Sequence, residues 1–188
     1  MPLTTTRRAA SVYPSVMRKI SLAIIASLAA VSLFAANSIT TVILVRHAEK
    51  AGATGDVPLS PAGIDRAKEL VRVLAGTSIA AIYVTPYLRT EQTAGPLGTA
   101  HHVEPVIVKA GDTYAREVVD AILRDHKGET VVVVGHSNTT PDVIRQLGVA
   151  NPPAIAESEF DHLFIVSIAD GAPAKLIALR YGAVWTKD

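Results

Sequence analysis

Four side chains with the chemistry to hold and attack an anion are spread through the middle of this chain. Arg46 and His47 end the run Thr41-Val42-Ile43-Leu44-Val45, Arg89 follows Tyr87-Leu88, and His136 follows Thr130-Val131-Val132-Val133-Val134-Gly135. A guanidinium offers planar, bidentate donors that match a tetrahedral oxyanion and never deprotonates. A neutral imidazole with one nitrogen aimed at phosphorus is a nucleophile. Phosphoryl transfer needs charge stabilisation and positioning above all else. Singly, an Arg-His pair, a helix arginine or a lone histidine is unremarkable. Their meaning depends on whether the fold gathers them.

The flanking elements supply that condition. The two short, β-branched runs read as buried strands of a sheet covered on both faces, where ligands sit beyond the carboxyl ends of the strands. Ser60-Pro61 opens a helix with a capping hydroxyl and a proline at the first helical position, and Ile64, Ala67, Leu70, Val71 and Leu74 form its apolar face up to Gly76. Ile79–Val84 is a second strand leading into a helix that Pro96 and Gly98 should shorten or distort. Val103–Val108 is a third strand. Asp112 then caps a helix with Ala115, Val118, Val119, Ile122 and Leu123 on one face, closed by Lys127-Gly128.

After His136, Thr140-Pro141 starts a helix running to Gly148. Leu163–Ile168 and Ala174–Arg180 are two more strands, joined by the turn Asp170-Gly171-Ala172-Pro173. Strands alternating with helices predict an α/β fold, a three-layer α/β/α sandwich with a mostly parallel sheet and antiparallel pairing near the C-terminus.

Composition bounds the rest. The chain has 188 residues, a formal net charge of +1, 49% hydrophobic residues and no cysteine. No electrostatic preference for nucleic acid is visible, and thiol catalysis, disulfides and zinc–thiolate sites are excluded. Residues 1–36 read as a signal peptide, with Arg18-Lys19 ahead of the apolar stretch Ile20–Ala36 and small residues at its end. Met17-Arg18-Lys19-Ile20 would make a compact start of its own, with residues 1–16 as an extension. The expected domain is 37–188, exported to the periplasm or the extracellular space. It has no stable membrane association unless the leader stays uncleaved as an anchor; a buried N-terminal helix is the least favoured reading.

In order along the chain, Arg46-His47-Ala48-Glu49, Leu59-Ser60-Pro61-Ala62-Gly63, Thr85-Pro86-Tyr87-Leu88-Arg89-Thr90-Glu91-Gln92-Thr93 and Val134-Gly135-His136-Ser137-Asn138 resemble the histidine phosphatase superfamily, which includes the phosphoglycerate mutases. Ala48 stands where the family's signature triplet has glycine, so ordinary backbone angles are asked of that position. The resemblance implies a phosphomonoester hydrolase in which His47 takes the phosphoryl group while Arg46, Arg89 and His136 hold its oxygens. It implies no metal and no cofactor.

The family also uses a carboxylate to protonate the leaving oxygen. Asp112 is the first choice, against its alternative role as a helix cap, with Glu49 and Glu117 behind it. Ser137 and Asn138 follow His136 directly and either reach the phosphate or serve the turn. His101, His102, His126 and His162 read as surface or loop residues, His162 as structural.

The short loops leave little room for a lid, which favours hydrolysis in an open site on a phosphorylated small molecule or phosphoprotein. Two alternatives stand beside this. One is a metal-dependent hydrolase using His47, Glu49, His136 and either His101 or His102. The other is a non-catalytic domain binding phosphate or another anion.

Overall fold

The computed structural model describes residues 38–184; the expected leader, residues 1–36, lies outside the described residues. Six strands form one sheet in the order β3-β2-β4-β1-β5-β6. They are β1 (Thr40–Arg46), β2 (Ala81–Val84), β3 (Val106–Ile107), β4 (Thr130–Gly135), β5 (His162–Ile168) and β6 (Lys175–Arg180). β1 to β4 run parallel, while β5 pairs antiparallel with both β1 and β6. This is the expected α/β architecture, with its antiparallel pairing at the C-terminal side.

Alternation along each strand sends side chains to opposite faces, and each face has its own pair of helices. Ile43, Val45, Ile82, Val84, Val132 and Val134 pack beneath α1 (Pro61–Leu74) and α2 (Leu88–His101). Val42, Leu44, Tyr83, Val131, Val133 and Phe164 pack beneath α3 (Tyr114–Asp125) and α4 (Thr139–Gln146). With helices on both sides, β1 and β4 are apolar over residues 42–45 and 131–134. They can therefore place polar residues only at their ends.

Local chemistry accounts for the helix starts that sequence predicts. Ser60 caps α1, its hydroxyl accepting from the Gly63 amide at 3.2 Å, and Pro61 occupies the first turn. Gly63 is required for a second reason: a Cβ there would lie 2.1 Å from the Glu49 carbonyl oxygen. The first turn of α1 thus packs directly on the chain leaving β1.

Several expectations are corrected. α2 runs unbroken for 14 residues across Pro96, because one lost hydrogen bond is outweighed by the burial of Thr93, Ala94, Leu97 and Gly98. Gly98 is used for close approach, with the Val103 carbonyl 2.6 Å from where its Cβ would be. β3 shrinks to Val106–Ile107, since Pro105 has no N–H for the ladder and the strand lies on the sheet edge. Asp112 does not cap α3: the helix begins at Tyr114 with Thr113 in the N-cap position. Ile64 and Leu123 face solvent, while Arg66 of α1 is buried. Among the described residues, no helix is long and apolar enough to cross a membrane.

The Gly63 contact gives a direct test. Gly63→Ala should destabilise the fold by about 1–3 kcal/mol through overpacking against backbone that cannot retreat, measured as a lower urea midpoint at unchanged slope.

Candidate active site

The carboxyl ends of β2, β4 and β1 lie side by side, with Val84 opposite Val134 and Gly135 opposite Arg46. His47 and His136 therefore emerge as neighbours, their ring centroids 5.2 Å apart. A cavity of about 630 Å³ opens above this edge and is lined by Arg46, His47, Arg89, Asp112, His136, Ser137 and Asn138 among others. The fold thus gathers all seven residues named for the site from sequence.

Arg46 is almost fully buried at the end of β1. Its Nη1 donates to the carbonyls of Ala156 (2.8 Å), Glu157 (2.8 Å) and Glu159 (3.0 Å), and its Nη2 to the Glu157 carboxylate at 2.9 Å. The Phe160 ring covers one face of the guanidinium, 4.2 Å from centroid to Cζ. Its Nε is buried with no partner. Arg89, at the start of α2, stacks on Tyr87 (4.4 Å) with Asp56 3.7 Å from its Nη1. Asp56 also accepts from the Leu88 amide at 2.9 Å, which fastens the start of that helix.

Hydrogen bonding fixes which nitrogen of each imidazole carries the proton. His47 Nδ1 lies 2.8 Å from the Ala48 carbonyl oxygen, which can only accept, so Nδ1 is protonated and Nε2 keeps a free lone pair. His136 Nε2 lies 2.9 Å from Thr85 Oγ1, which is 3.0 Å from Thr90 Oγ1. The Thr90 hydroxyl has carbonyls of Thr85 and Tyr87 at 2.8 Å and must donate there. Thr85 then donates to Thr90, and His136 donates from Nε2 to Thr85. Its Nδ1 is left unprotonated.

Burial, reinforced by the other cations of the site, pushes the His47 imidazole down to about 3 and that of His136 down to about 4. For His47 the hydrogen bond to Ala48 opposes the shift, and for His136 the nearby Glu157 does. Both rings are neutral in the free protein at neutral pH.

The three acid candidates are separated by their surroundings. Glu49 grips Arg66, with three contacts between 2.7 and 3.0 Å, while Arg66 also donates to the carbonyls of Tyr181 and Ala183. It is an internal brace, not a cavity residue. Glu117 lies exposed on α3, away from the cavity lining. Asp112 lines the cavity, its side chain free of any capping duty. The metal-ligand set His47, Glu49, His136 with His101 or His102 is not brought together. Glu49 is held by Arg66 and the two histidines close the far end of α2, and among the described residues no three His, Asp or Glu side chains are arranged to hold a metal ion.

Ala48 takes up the ordinary backbone angles asked of it, fully buried, and donates its amide to Thr93 Oγ1 at 2.9 Å. His162 is buried and stacks on Phe164 (5.2 Å), in keeping with a structural role. His126 pairs with Glu129 at 2.9 Å, and His102 is the left-handed C-cap of α2.

Sequence reasoning missed Glu157. It sits in a Pro- and Glu-containing segment that reads as plain loop, yet it lines the cavity and joins Arg46 to the Ser137 hydroxyl. The excess of carboxylates in Glu157-Ser158-Glu159 just before a strand was the available signal. Thr85 and Tyr87 enter the sequence reading only as part of the motif spanning residues 85–93, with no role of their own.

A family model described as the histidine phosphatase superfamily, branch 1, matches residues 42–111. Three solved structures share the fold. A mycobacterial hydrolase superposes with a TM-score of 0.65 at 16% identity, covering 77% of this chain and all (100%) of its own. A mycobacterial glucosyl-3-phosphoglycerate phosphatase in complex with VO3 gives 0.62 at 16% identity, covering 76% of this chain and 99% of its own. YhfR of Bacillus stearothermophilus gives 0.59 at 19%, covering 73% and 95%. No curated protein sequence matches the chain. The resemblance read in the sequence is thus matched by the family model from β1 to the segment after β3, and the solved structures share the expected fold.

The neutral imidazoles carry a stability signature. Unfolded, each takes a proton near 6.5; folded, they do so only near 3 and 4. The unfolded state binds more protons in that window, so stability should fall as pH drops below 6.5, by up to about 1.4 kcal/mol per unit for each ring. Urea unfolding between pH 6.5 and 4.5 should show that slope, and His47→Asn should remove one ring's share of it.

Proposed function

With the histidine phosphatase superfamily recognised in both sequence and fold, we propose that this protein is a metal-independent phosphomonoester hydrolase working through a phosphohistidine on His47. The observation that carries this reading is the Ala48 carbonyl bound to Nδ1, which leaves a free lone pair on Nε2 of a ring that lines the same cavity as Arg46 and Arg89. Nε2 attacks phosphorus, the P–O ester bond breaks, and the leaving oxygen takes a proton from Asp112. Water then attacks phosphorus, giving a proton to the Asp112 carboxylate as the new P–O bond forms and the P–Nε2 bond breaks, which releases inorganic phosphate and the neutral imidazole.

Arg46 and Arg89 supply the opposing charge, with Ser137 and Asn138 beside the phosphoryl oxygens. His136 is neutral in the free protein, and an incoming dianion favours its protonation, turning Nδ1 into a donor. The open cavity suits a phosphorylated small molecule or an accessible phosphorylated side chain. Export through the leader remains part of the proposal and rests on the sequence pattern of residues 1–36 alone.

Acid-quench trapping with an aryl phosphate should yield a phosphoenzyme in the wild type and none in His47→Ala, while exhaustive chelation leaves the rate unchanged. Stable phosphate binding with no turnover in the wild type would instead establish the anion-binding reading. Asp112→Asn should slow a substrate with a poor leaving group by about 10²-fold or more and an activated aryl phosphate far less. Equal rates for both substrates in that variant would remove Asp112 from the reaction.

A further inference from the structure

Arg46 has no free donor edge in the unliganded protein. Its Nη1 is committed to three carbonyls of the 156–159 segment, Phe160 covers one face, and Nε is buried. The edge formed by Nε and Nη2 is the one that could grip an oxyanion bidentately, and the Glu157 carboxylate already holds its Nη2. The other carboxylate oxygen accepts from Ser137, a second cavity residue. A buried guanidinium needs a counter-charge, and Glu157 provides it from within the cavity itself.

The two partners differ sharply in their surroundings. The Arg46 side chain is 2% exposed, whereas that of Glu157 is 80% exposed. Swinging the carboxylate into solvent therefore costs little desolvation. It also leaves the segment in place, because Glu159 accepts from the Ala156 amide at 2.9 Å, its own amide donates to Ala156 at 3.0 Å, and the Arg46 Nη1 bonds go to backbone.

We propose that the Glu157 carboxylate is a resident counter-anion that an incoming phosphoryl group must displace from Arg46 and Ser137. This deepens the phosphate-cradle reading and rests on it. The displacement sets a threshold: every anion gives up the same Glu157 contacts on entry. A doubly charged phosphoryl group gains enough from Arg46, Arg89 and the histidines to bind, while singly charged tetrahedral anions, such as sulfuryl groups, fall short.

The test uses phenylphosphonate, at alkaline pH where it is doubly charged, and benzenesulfonate, its singly charged counterpart, titrated calorimetrically into wild type, Glu157→Gln, Glu157→Ala and Arg89→Ala. Both Glu157 variants should bind phenylphosphonate about tenfold more tightly than wild type, the ordinary worth of a hydrogen bond to a charged group. Benzenesulfonate binding should tighten by the same factor. Unchanged or weaker phosphonate binding in both Glu157 variants would overturn the proposal and make Glu157 a positioning residue for Arg46. The cradle is judged separately: wild-type binding of phenylphosphonate that is lost in Arg89→Ala upholds it, and no binding of either probe by any variant would sink the cradle and the counter-anion together.

Discussion

A permanently charged guanidinium buried at the end of the central strand constrains everything around it. Arg46 cannot shed its proton, so burial has to be compensated, and the compensation comes from more than a hundred residues away in sequence. The carbonyls of Ala156, Glu157 and Glu159 converge on one nitrogen. That requirement ties the segment before β5 to the end of β1 and so forms one wall of the cavity. It also explains why a stretch rich in proline and glutamate is ordered there without being helix or strand. Its polar backbone groups are satisfied by a side chain.

The same dehydration that makes Arg46 demanding makes the histidines useful. Water excluded from the strand ends holds both imidazoles neutral, and two different devices then set their tautomers. His47 is set by the carbonyl of the next residue, a contact that needs only the local backbone path. His136 is set through Thr85 and Thr90, a relay from the end of β2 and the first turn of α2. The two imidazoles thus differ in how their protons are assigned although their ring centroids lie only 5.2 Å apart.

A second buried arginine does structural work alone. Arg66 of α1 takes both oxygens of Glu49 and the carbonyls of Tyr181 and Ala183, joining the loop after β1, the first helix and the chain after β6. Glu49 stands two residues from His47, and proximity in sequence made it a candidate acid. The chain leaving β1 is neither strand nor helix at this point, and the Glu49 carboxylate turns to Arg66 of α1, outside the cavity lining. Asp112, distant in sequence, is the carboxylate that reaches the cavity wall.

The sequence by itself determined the sandwich, the parallel order of its central strands, and the gathering of Arg46, His47, Arg89 and His136. These follow from local signals: unbroken β-branched runs, a capped helix start at Ser60-Pro61, and the rule that parallel strands present their ends at one edge. The limits of β3, the persistence of α2 across Pro96 and the exposure of Ile64 and Leu123 were decided by packing, which outweighs propensity where a residue meets or misses the sheet. Only the tertiary structure decided which carboxylate faces the cavity, how each imidazole holds its proton, and that Glu157 rests on Arg46. Each of those depends on contacts between segments distant along the chain, and no pattern within a single segment encodes the direction in which such a side chain turns.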